Sequence, residues 1–369
     1  MFGGILMVVA ISVFVLIHEA GHFLAARATG MKATEFFLGF GPRIWSFRRG
    51  ETEFGVKAIP LGGYVRIAGM NDREWVHPDD IHRTYREQVF WKKSVVVLSG
   101  VTLNMLMAFL LLFGLFWVSG SFEFTTTVGR VSPETSEGIA SPAAEAGLRD
   151  GDTLVAIDGV VVDGWDHAVS VIMARPGKLV TIDVLREGNP KSIEVTLGSV
   201  HPSTGEATGF LGVSPSTRRI PVGPVRAASL AAGAEWSILT GTLEALARIV
   251  RPESLAELGG VLAGRNEVSD AIRPVSPIGL VQIGTQVARV GIGNVVFLLA
   301  VVNVTLAIFN SLPLYPLDGG HFAVALYEKV TRRRVDARRL IPVAVTVVML
   351  MVFLGLVAVV LDIVDPLTL

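Results

Sequence analysis

The stretch FGGILMVVAISVFVLIHEAGHFLAA, residues Phe2–Ala26, decides the fold of this chain, because it is an apolar run interrupted only by HEAGH at residues 18–22. A helix of about 20 apolar residues crosses the roughly 30 Å hydrocarbon core of a bilayer. Residues four apart share one helix face, so His18 and His22 are placed to hold one zinc ion, with Glu19 beside them as general base. Ionisable groups at membrane depth cost roughly 2.5–3.5 kcal/mol each and persist when they have a partner or a task. The pattern predicts a hydrolytic zinc site inside a membrane.

Composition agrees with a membrane protein. Mean hydropathy is +0.55, and 18% of residues are charged, against roughly 25% in soluble domains. The net charge is -1 and no basic cluster is interleaved with aromatic residues, so no nucleic-acid partner is predicted. Cysteine is absent, which excludes disulfides, thiolate nucleophiles and cysteine-ligated metals. A zinc ion here must be held by imidazole and carboxylate, the usual ligands of catalytic zinc.

Four segments are long and apolar enough to cross a bilayer, which makes the lipid bilayer the first predicted partner. They are Phe2–Ala26, Ser94–Val118, Ile292–Leu312 and Leu340–Leu361. A cleaved signal peptide is the rival interpretation of the first segment. That segment, however, lacks a basic amino-terminal region, and its apolar run is too long for a signal peptide. Lys and Arg concentrate in the loops at 32–93 and 322–339, so these loops are expected in the cytoplasm, with the central region and both termini outside.

The third zinc ligand has to come from the same membrane depth as the two histidines, because a catalytic zinc ion has three protein ligands and one open position. Asp318 follows the third span on the cytoplasmic side and is the best carboxylate by this geometry. His321, one helical turn later, is the competitor, with a helix-start or supporting role as its other interpretation. Pro313 and Pro316 break the third helix just before Asp318, which is tolerable at this depth only where the backbone faces protein or a wet cavity.

Two asparagines lie on nearly one face of the third span, seven residues apart. Asn303 and Asn310 could bridge helices, a common use of Asn in membranes. They could also hydrogen-bond a substrate peptide or the oxyanion, which is favoured for Asn310 because it is close to the helix break.

Together, HEAGH at 18–22 and NSLPLYPLDGG at 310–320 resemble the site-2 proteases, zinc metalloproteases that cut transmembrane helices within the membrane. The resemblance is closest to the bacterial RseP-like group and covers most of the chain. It implies His18, His22 and Asp318 as Zn2+ ligands, Glu19 as general base and acid, and Asn310 as a substrate-positioning residue. It also implies a multi-pass protein of the bacterial inner membrane. The implied substrates are single-pass membrane proteins already shortened outside, such as anti-sigma factors or signal-peptide remnants.

The first cytoplasmic loop has the pattern of β structure. Ile44–Phe47 and Phe54–Ile59 flank a turn at Arg49-Gly50-Glu51, and Tyr64–Ile67 is a further extended piece. An exposed strand edge could capture an unwound substrate by strand addition. The alternative is a structural hairpin that covers the site from lipid. The family has a membrane-associated β-loop at this place.

The region after the second span resembles a PDZ domain, on the string Ala146-Gly147-Leu148-x-x-Gly151-Asp152 with a strand at Thr153–Ile157 and a helix at Asp166–Met173. Such domains bind extended peptide ends by strand addition. Recognition of a trimmed substrate's C-terminus and size filtering at the entrance both remain open, with the filter preferred. Residues 221–252 have helical spacing and predict an amphipathic helix at the outer interface in preference to a fifth span.

The predicted fold is a polytopic α-helical membrane protein with four transmembrane helices, a cytoplasmic-side membrane-associated β-hairpin loop and an inserted extracytoplasmic α+β PDZ domain. The predicted segments are 1–31 (first span with HExxH), 32–93 (β-loop and interfacial segment), 94–118 (second span), 119–205 (PDZ-like domain), 206–291 (amphipathic helix and linker), 292–321 (third span with LDGG), 322–339 (basic loop) and 340–369 (fourth span). The rival functions are a metal transporter and a catalytically inactive PDZ-bearing membrane scaffold. Neither would need Glu19 between two metal ligands.

Overall fold

The computed structural model describes residues 2–70, 75–133, 141–200, 207–262, 268–269 and 272–367. Its helices are α1 Phe2–Ala28, α2 Phe90–Ser119, α3 Pro142–Glu145, α4 Trp165–Met173, α5 Pro224–Ile249, α6 Pro252–Leu262, α7 Pro277–Val290, α8 Ile292–Ser311, α9 Asp318–Thr331 and α10 Ala337–Val364, with a 3-10 helix at Pro78–Arg83. Its strands are β1 Ala33–Arg49, β2 Thr52–Ile67, β3 Ser121–Val131, β4 Thr153–Ile157, β5 Val160–Val161, β6 Leu179–Arg186, β7 Asn189–Thr196, β8 Gly198–Val200, β9 Thr208–Phe210 and β10 Val213–Ile220. The chain divides into a helical unit, Met1–Trp117 with Gly223–Leu369, and an inserted unit, Val118–Val222.

Four helices of the described residues are long and apolar enough to cross a membrane: Leu6–Ala28, Phe90–Ser119, Ile292–Ser311 and Arg338–Val364. They overlap the four predicted spans, so the chain has four candidate membrane-spanning helices by length and composition, as predicted. The third ends at Ser311, one residue before the predicted end at Leu312. The predicted break follows, because Pro313 and Pro316 lack the N–H groups needed to continue a helix. A separate helix, α9, then occupies much of the expected basic loop.

The first and third of these helices pack together through α7. Ser276 caps α7, its Oγ accepting hydrogen bonds from the N–H groups of Ile278 and Gly279. A buried apolar cluster of Met7, Phe14, Val295 and Leu299 joins α1 to α8. Helix α1, which carries His18 and His22, is thus held in a packed bundle.

The segment after the inserted unit contains the predicted amphipathic helix, α5, which is not among the four candidate spans. Its apolar face packs along α8, from Ala231 beside Ala300 to Leu246 beside Ile308. Small residues at the contact let the two backbones approach. The expected polar linker contains α6, whose buried Leu258 packs on α10; residues 263–267 and 270–271 lie outside the described part.

Strands β1 and β2 form a long antiparallel hairpin around a turn at Gly50, which confirms the predicted β structure. The first half of β1 pairs twice, because Phe36 faces both Phe54 and Val65. The hairpin therefore folds on itself into four short segments, with residues 63–67 along one edge. Several large apolar side chains of the hairpin are exposed: Phe40, Ile44, Trp45, Phe47 and Ile59.

The inserted unit is an antiparallel sheet of order β10-β3-β4-β6-β7, with β5 beside β4 and a separate β8-β9 pair. Its core includes Leu154 and Ile157 of β4, packed in one cluster with Val171 and Ile172 of α4. Along β6 the buried residues alternate, at Val180, Ile182 and Val184. Asp152 is 1% exposed and accepts two hydrogen bonds of 2.7 Å from the Arg186 guanidinium.

The predicted boundary of this unit at residue 205 is too early. β10 pairs with β3, Ser121 lying opposite Ile220, so the unit extends to Val222. Pro215, Arg218 and Arg219 interrupt the apolar alternation that would have marked β10 as a strand.

Candidate metal centre

The two histidines of α1 converge on one point. One helical turn separates them, and their Nε2 atoms lie 3.1 Å apart. Both residues are nearly buried, at 5% and 7% exposure. His22 Nδ1 donates to the Val96 carbonyl of α2 at 2.8 Å, which orients the ring and leaves Nε2 free for a metal.

Asp318 reaches the same point from the start of α9. Its Oδ2 lies 3.0 Å from His18 Nε2 and 3.1 Å from His22 Nε2. The break between α8 and α9 turns the chain back on itself so tightly that Gly319 and Gly320 have no room for a side chain. A Cβ on Gly319 would lie 2.1 Å from the Ser311 carbonyl oxygen. Gly319 and Gly320 therefore allow the tight turn that brings the Asp318 carboxylate next to the two histidines.

The three donor atoms fit a zinc ion. Ligands at about 2.0–2.1 Å from zinc, arranged tetrahedrally, lie roughly 3.3–3.4 Å from one another. The three donor atoms lie 3.0–3.1 Å from one another, so they need to move apart by only a few tenths of an ångström to hold zinc. Among the described residues, one group of potential metal ligands converges, and it consists of His18, His22 and Asp318. Two imidazoles and one carboxylate form the donor set of a catalytic site with a fourth position for water or substrate.

Helix α2 forms one wall of this centre at Gly100. A Cβ there would lie 2.5 Å from His22 Nε2 and 2.8 Å from His18 Cε1. A Cβ on Gly21 of α1 would lie equally close to α2, 2.6 Å from the Ser99 carbonyl oxygen. The two helices cross through these glycines, so their backbones touch beside the donor atoms. Sequence reasoning missed Gly100.

Glu19 lies on the side of α1 that faces the hairpin. Gly63 of β2 approaches its Cγ to 3.5 Å, measured from the position of a Cβ, and the Val65 backbone N–H hydrogen-bonds the carboxylate. The carboxylate is half-buried beside both histidines. The edge segment of the hairpin thus contacts the side chain of Glu19.

The competing ligands have other contacts. The His321 ring packs edge-on against Tyr315, with centroids 4.8 Å apart, and against Tyr85 at 6.5 Å. Four other carboxylates, in or beside the last two helices, have structural partners. Glu328 pairs with Lys93 at 3.2 Å, Asp336 caps α10, Asp362 accepts from Ser276 N–H at 2.8 Å, and Asp365 pairs with Arg273 at 2.8 Å.

The two asparagines of α8 have different environments. Asn303 is fully buried and its Nδ2 donates to the Asn104 carbonyl of α2 at 2.8 Å, which matches the helix-bridging interpretation. Asn310 is half-buried in the last turn of α8, before the break that leads to Asp318. Asn104, a polar residue four positions after Gly100 in an apolar span, was a signal that sequence reasoning did not use.

The chain is similar to known zinc metalloproteases. The model of peptidase family M50 matches residues 6–355. The chain is 34% identical to the zinc metalloprotease Rip1 of Mycobacterium tuberculosis, over 100% of this chain and 98% of that protein. It is 32% identical to Rip1 of Mycolicibacterium smegmatis, over 99% and 98%. It is 26% identical to the zinc metalloprotease RasP of Shouchella clausii, over 89% and 90%.

Proposed function

The chain belongs to peptidase family M50 and is a multi-pass intramembrane zinc metalloprotease of the site-2 type; we propose that His18, His22 and Asp318 hold its zinc and that Glu19 is its general base. The approach of His18 Nε2, His22 Nε2 and Asp318 Oδ2 to within 3.1 Å of one another carries this assignment. Glu19 lies next to these three residues and is not one of the converging ligands, so its carboxylate is available for proton transfer.

Bound zinc would supply Lewis-acid catalysis at this centre, and the proton transfers would fall to the chain's own residues. The Glu19 carboxylate accepts a proton as water attacks the scissile carbonyl, then returns it to the leaving amine. Asn310 orients the substrate through its side-chain amide, at the end of α8 closest to the break. His22 keeps its orientation through the Val96 carbonyl while these steps occur.

The substrate binds as an extended strand. A helix hides its carbonyls in internal hydrogen bonds, so a transmembrane segment has to unwind before attack. Residues 63–67 form an edge of the hairpin sheet next to Glu19, where an added strand would present its backbone to the general base. The hairpin is membrane-associated, since its exposed aromatic and aliphatic side chains suit a lipid environment.

The protein acts on single-pass membrane proteins already trimmed outside, such as anti-sigma factors or signal-peptide remnants. The inserted unit is an extracytoplasmic PDZ domain that excludes bulky ectodomains, with binding of a peptide C-terminus as its second role. The protein resides in the bacterial inner membrane, with both termini outside and the arginine-rich segments cytoplasmic. This placement puts the metal centre in the cytoplasmic half of the bilayer.

Two substitutions test the assignment in purified full-length protein. Glu19→Gln is expected to keep zinc and to lower cleavage of a transmembrane peptide by at least about 100-fold, since the base is lost. Asp318→Ala is expected to lower zinc content. Glu244→Gln, an exposed glutamate of α5 paired only with Arg248 in the described structure, is the charge-matched control and should behave as the parent.

Parent-like cleavage by Glu19→Gln would refute the base assignment, and normal zinc content in Asp318→Ala would remove Asp318 from the site. If the parent moves zinc across vesicles and cuts no peptide, the metal-transporter alternative is correct. If it binds zinc and does neither, the inactive-scaffold alternative is correct.

A further inference from the structure

Four buried polar atoms next to the metal centre have no hydrogen-bond partner in the described structure: His18 Nδ1, Asn104 Oδ1, Asn104 Nδ2 and Asn303 Oδ1. Asn104 and Asn303 are both 0% exposed, and His18 is 5% exposed. An unsatisfied polar group in a bilayer interior costs several kcal/mol, so these atoms need partners.

The atoms are complementary in number and type. His18 Nε2 faces Asp318 and His22, so the ring proton belongs on Nδ1, which is then a donor. The Asn104 amide offers one acceptor and one donor, and Asn303 Oδ1 is an acceptor. Two donors therefore match two acceptors, and joining them in order satisfies all four atoms.

The contacts between α1, α2 and α8 place His18, Asn104 and Asn303 next to one another in that order. Gly100 of α2 lies against His18 Cε1, the ring atom bonded to Nδ1. Asn104 is one helical turn further along the same face of α2. Asn303 already donates from Nδ2 to the Asn104 carbonyl at 2.8 Å, so α8 is fixed at this turn.

We propose that Asn104 is a positioning residue for the zinc ligand His18, accepting a hydrogen bond from His18 Nδ1 and donating one to Asn303, directly or through a bridging water. This inference rests on the proposed function. Full burial excludes Asn104 from substrate contact, so it acts through His18. The Val96 carbonyl does the same for His22, and supporting hydrogen bonds of this kind fix ring orientation and raise ligand basicity.

The test is the zinc affinity of the full-length protein, measured by competition with a chelator. Asn104→Leu is expected to weaken zinc binding by about 10- to 100-fold, the usual effect of losing a supporting hydrogen bond. Asn104→Asp keeps an acceptor and is expected to restore most of the affinity. Thr102→Val, which changes an exposed residue of the same helix, is the matched control. The cobalt-substituted Asn104→Leu protein should also show an altered visible spectrum.

A purely structural role for Asn104 would lower the stability of the zinc-free protein and leave zinc affinity and the cobalt spectrum unchanged, and that result would overturn the proposal. Should Asn104→Leu not fold, Asn104→Ala leaves space in place of overpacking and should show the same loss of affinity. A parent protein that binds no zinc would instead refute the proposed function.

Discussion

The contact between Gly100 and the two histidines leads to a quantitative prediction for Gly100→Ala. The new methyl group would lie 2.5 Å from His22 Nε2 and 2.8 Å from His18 Cε1. Ordinary contact begins near 3.4 Å, so the His22 ring would have to move by about 0.9 Å. Metal sites tolerate roughly 0.2 Å in ligand distance, and a 1 Å misplacement near the chemistry costs about 100-fold in rate.

We therefore expect Gly100→Ala to bind zinc more weakly and to cut a transmembrane peptide about 100-fold more slowly, while overpacking lowers stability by about 1–3 kcal/mol. The assay pairs metal content of the purified protein with single-turnover cleavage. Gly114→Ala is the control, because Gly114 lies on the same helix with nothing within 4 Å of the new methyl. It should gain about 0.8–1.0 kcal/mol of helix stability and keep full activity. If Gly100→Ala retains parental zinc and rate, the α2 wall does not constrain the ligands and this reasoning is wrong.

Three further outcomes follow from the structure. Gly320→Ala would place a methyl 2.4 Å from the Tyr315 amide nitrogen, so zinc content should fall, whereas Gly355→Ala, with no neighbour within 4 Å, should match the parent. Hydrogen bonds from Arg186 hold the pKa of Asp152 below its ordinary value. Their contribution to the inserted unit is therefore present at neutral pH and is lost as pH falls below about 3.9. Limited proteolysis during acid titration should show this loss. Arg186→Gln should weaken that pH dependence and leave a remainder, because the Arg149 backbone N–H still donates to the Asp152 carboxylate. Excess chelator should stop cleavage and added zinc should restore it; cleavage that persists without metal would exclude zinc chemistry.

The sequence predicts the parts of the site that depend on local spacing. His18 and His22 share a face because a helix repeats every 3.6 residues, whatever surrounds it. Asp318 can be predicted as the third ligand because few carboxylates lie at the same membrane depth as His18 and His22. The spans are equally predictable, because length and apolarity alone decide them.

Contacts between distant segments are not predictable in this way. The role of Gly100 depends on where α1 and α2 cross, and no local pattern encodes that register. β10 carries Pro215 and two arginines, so its pairing with β3 is visible only once the sheet is formed. α6 and α9 are short helices in polar sequence, and their packing against the bundle outweighs weak local signals.

The pairing of Ser121 with Ile220 brings the entry and exit of the inserted unit side by side. A segment whose two ends are neighbours behaves as a removable cassette: it can be excised, duplicated or exchanged, and a short tether can close the gap. Exchange of this segment would leave the unit that carries His18, His22 and Asp318 intact. A chimera with a foreign cassette would therefore measure directly what the inserted unit contributes to substrate selectivity.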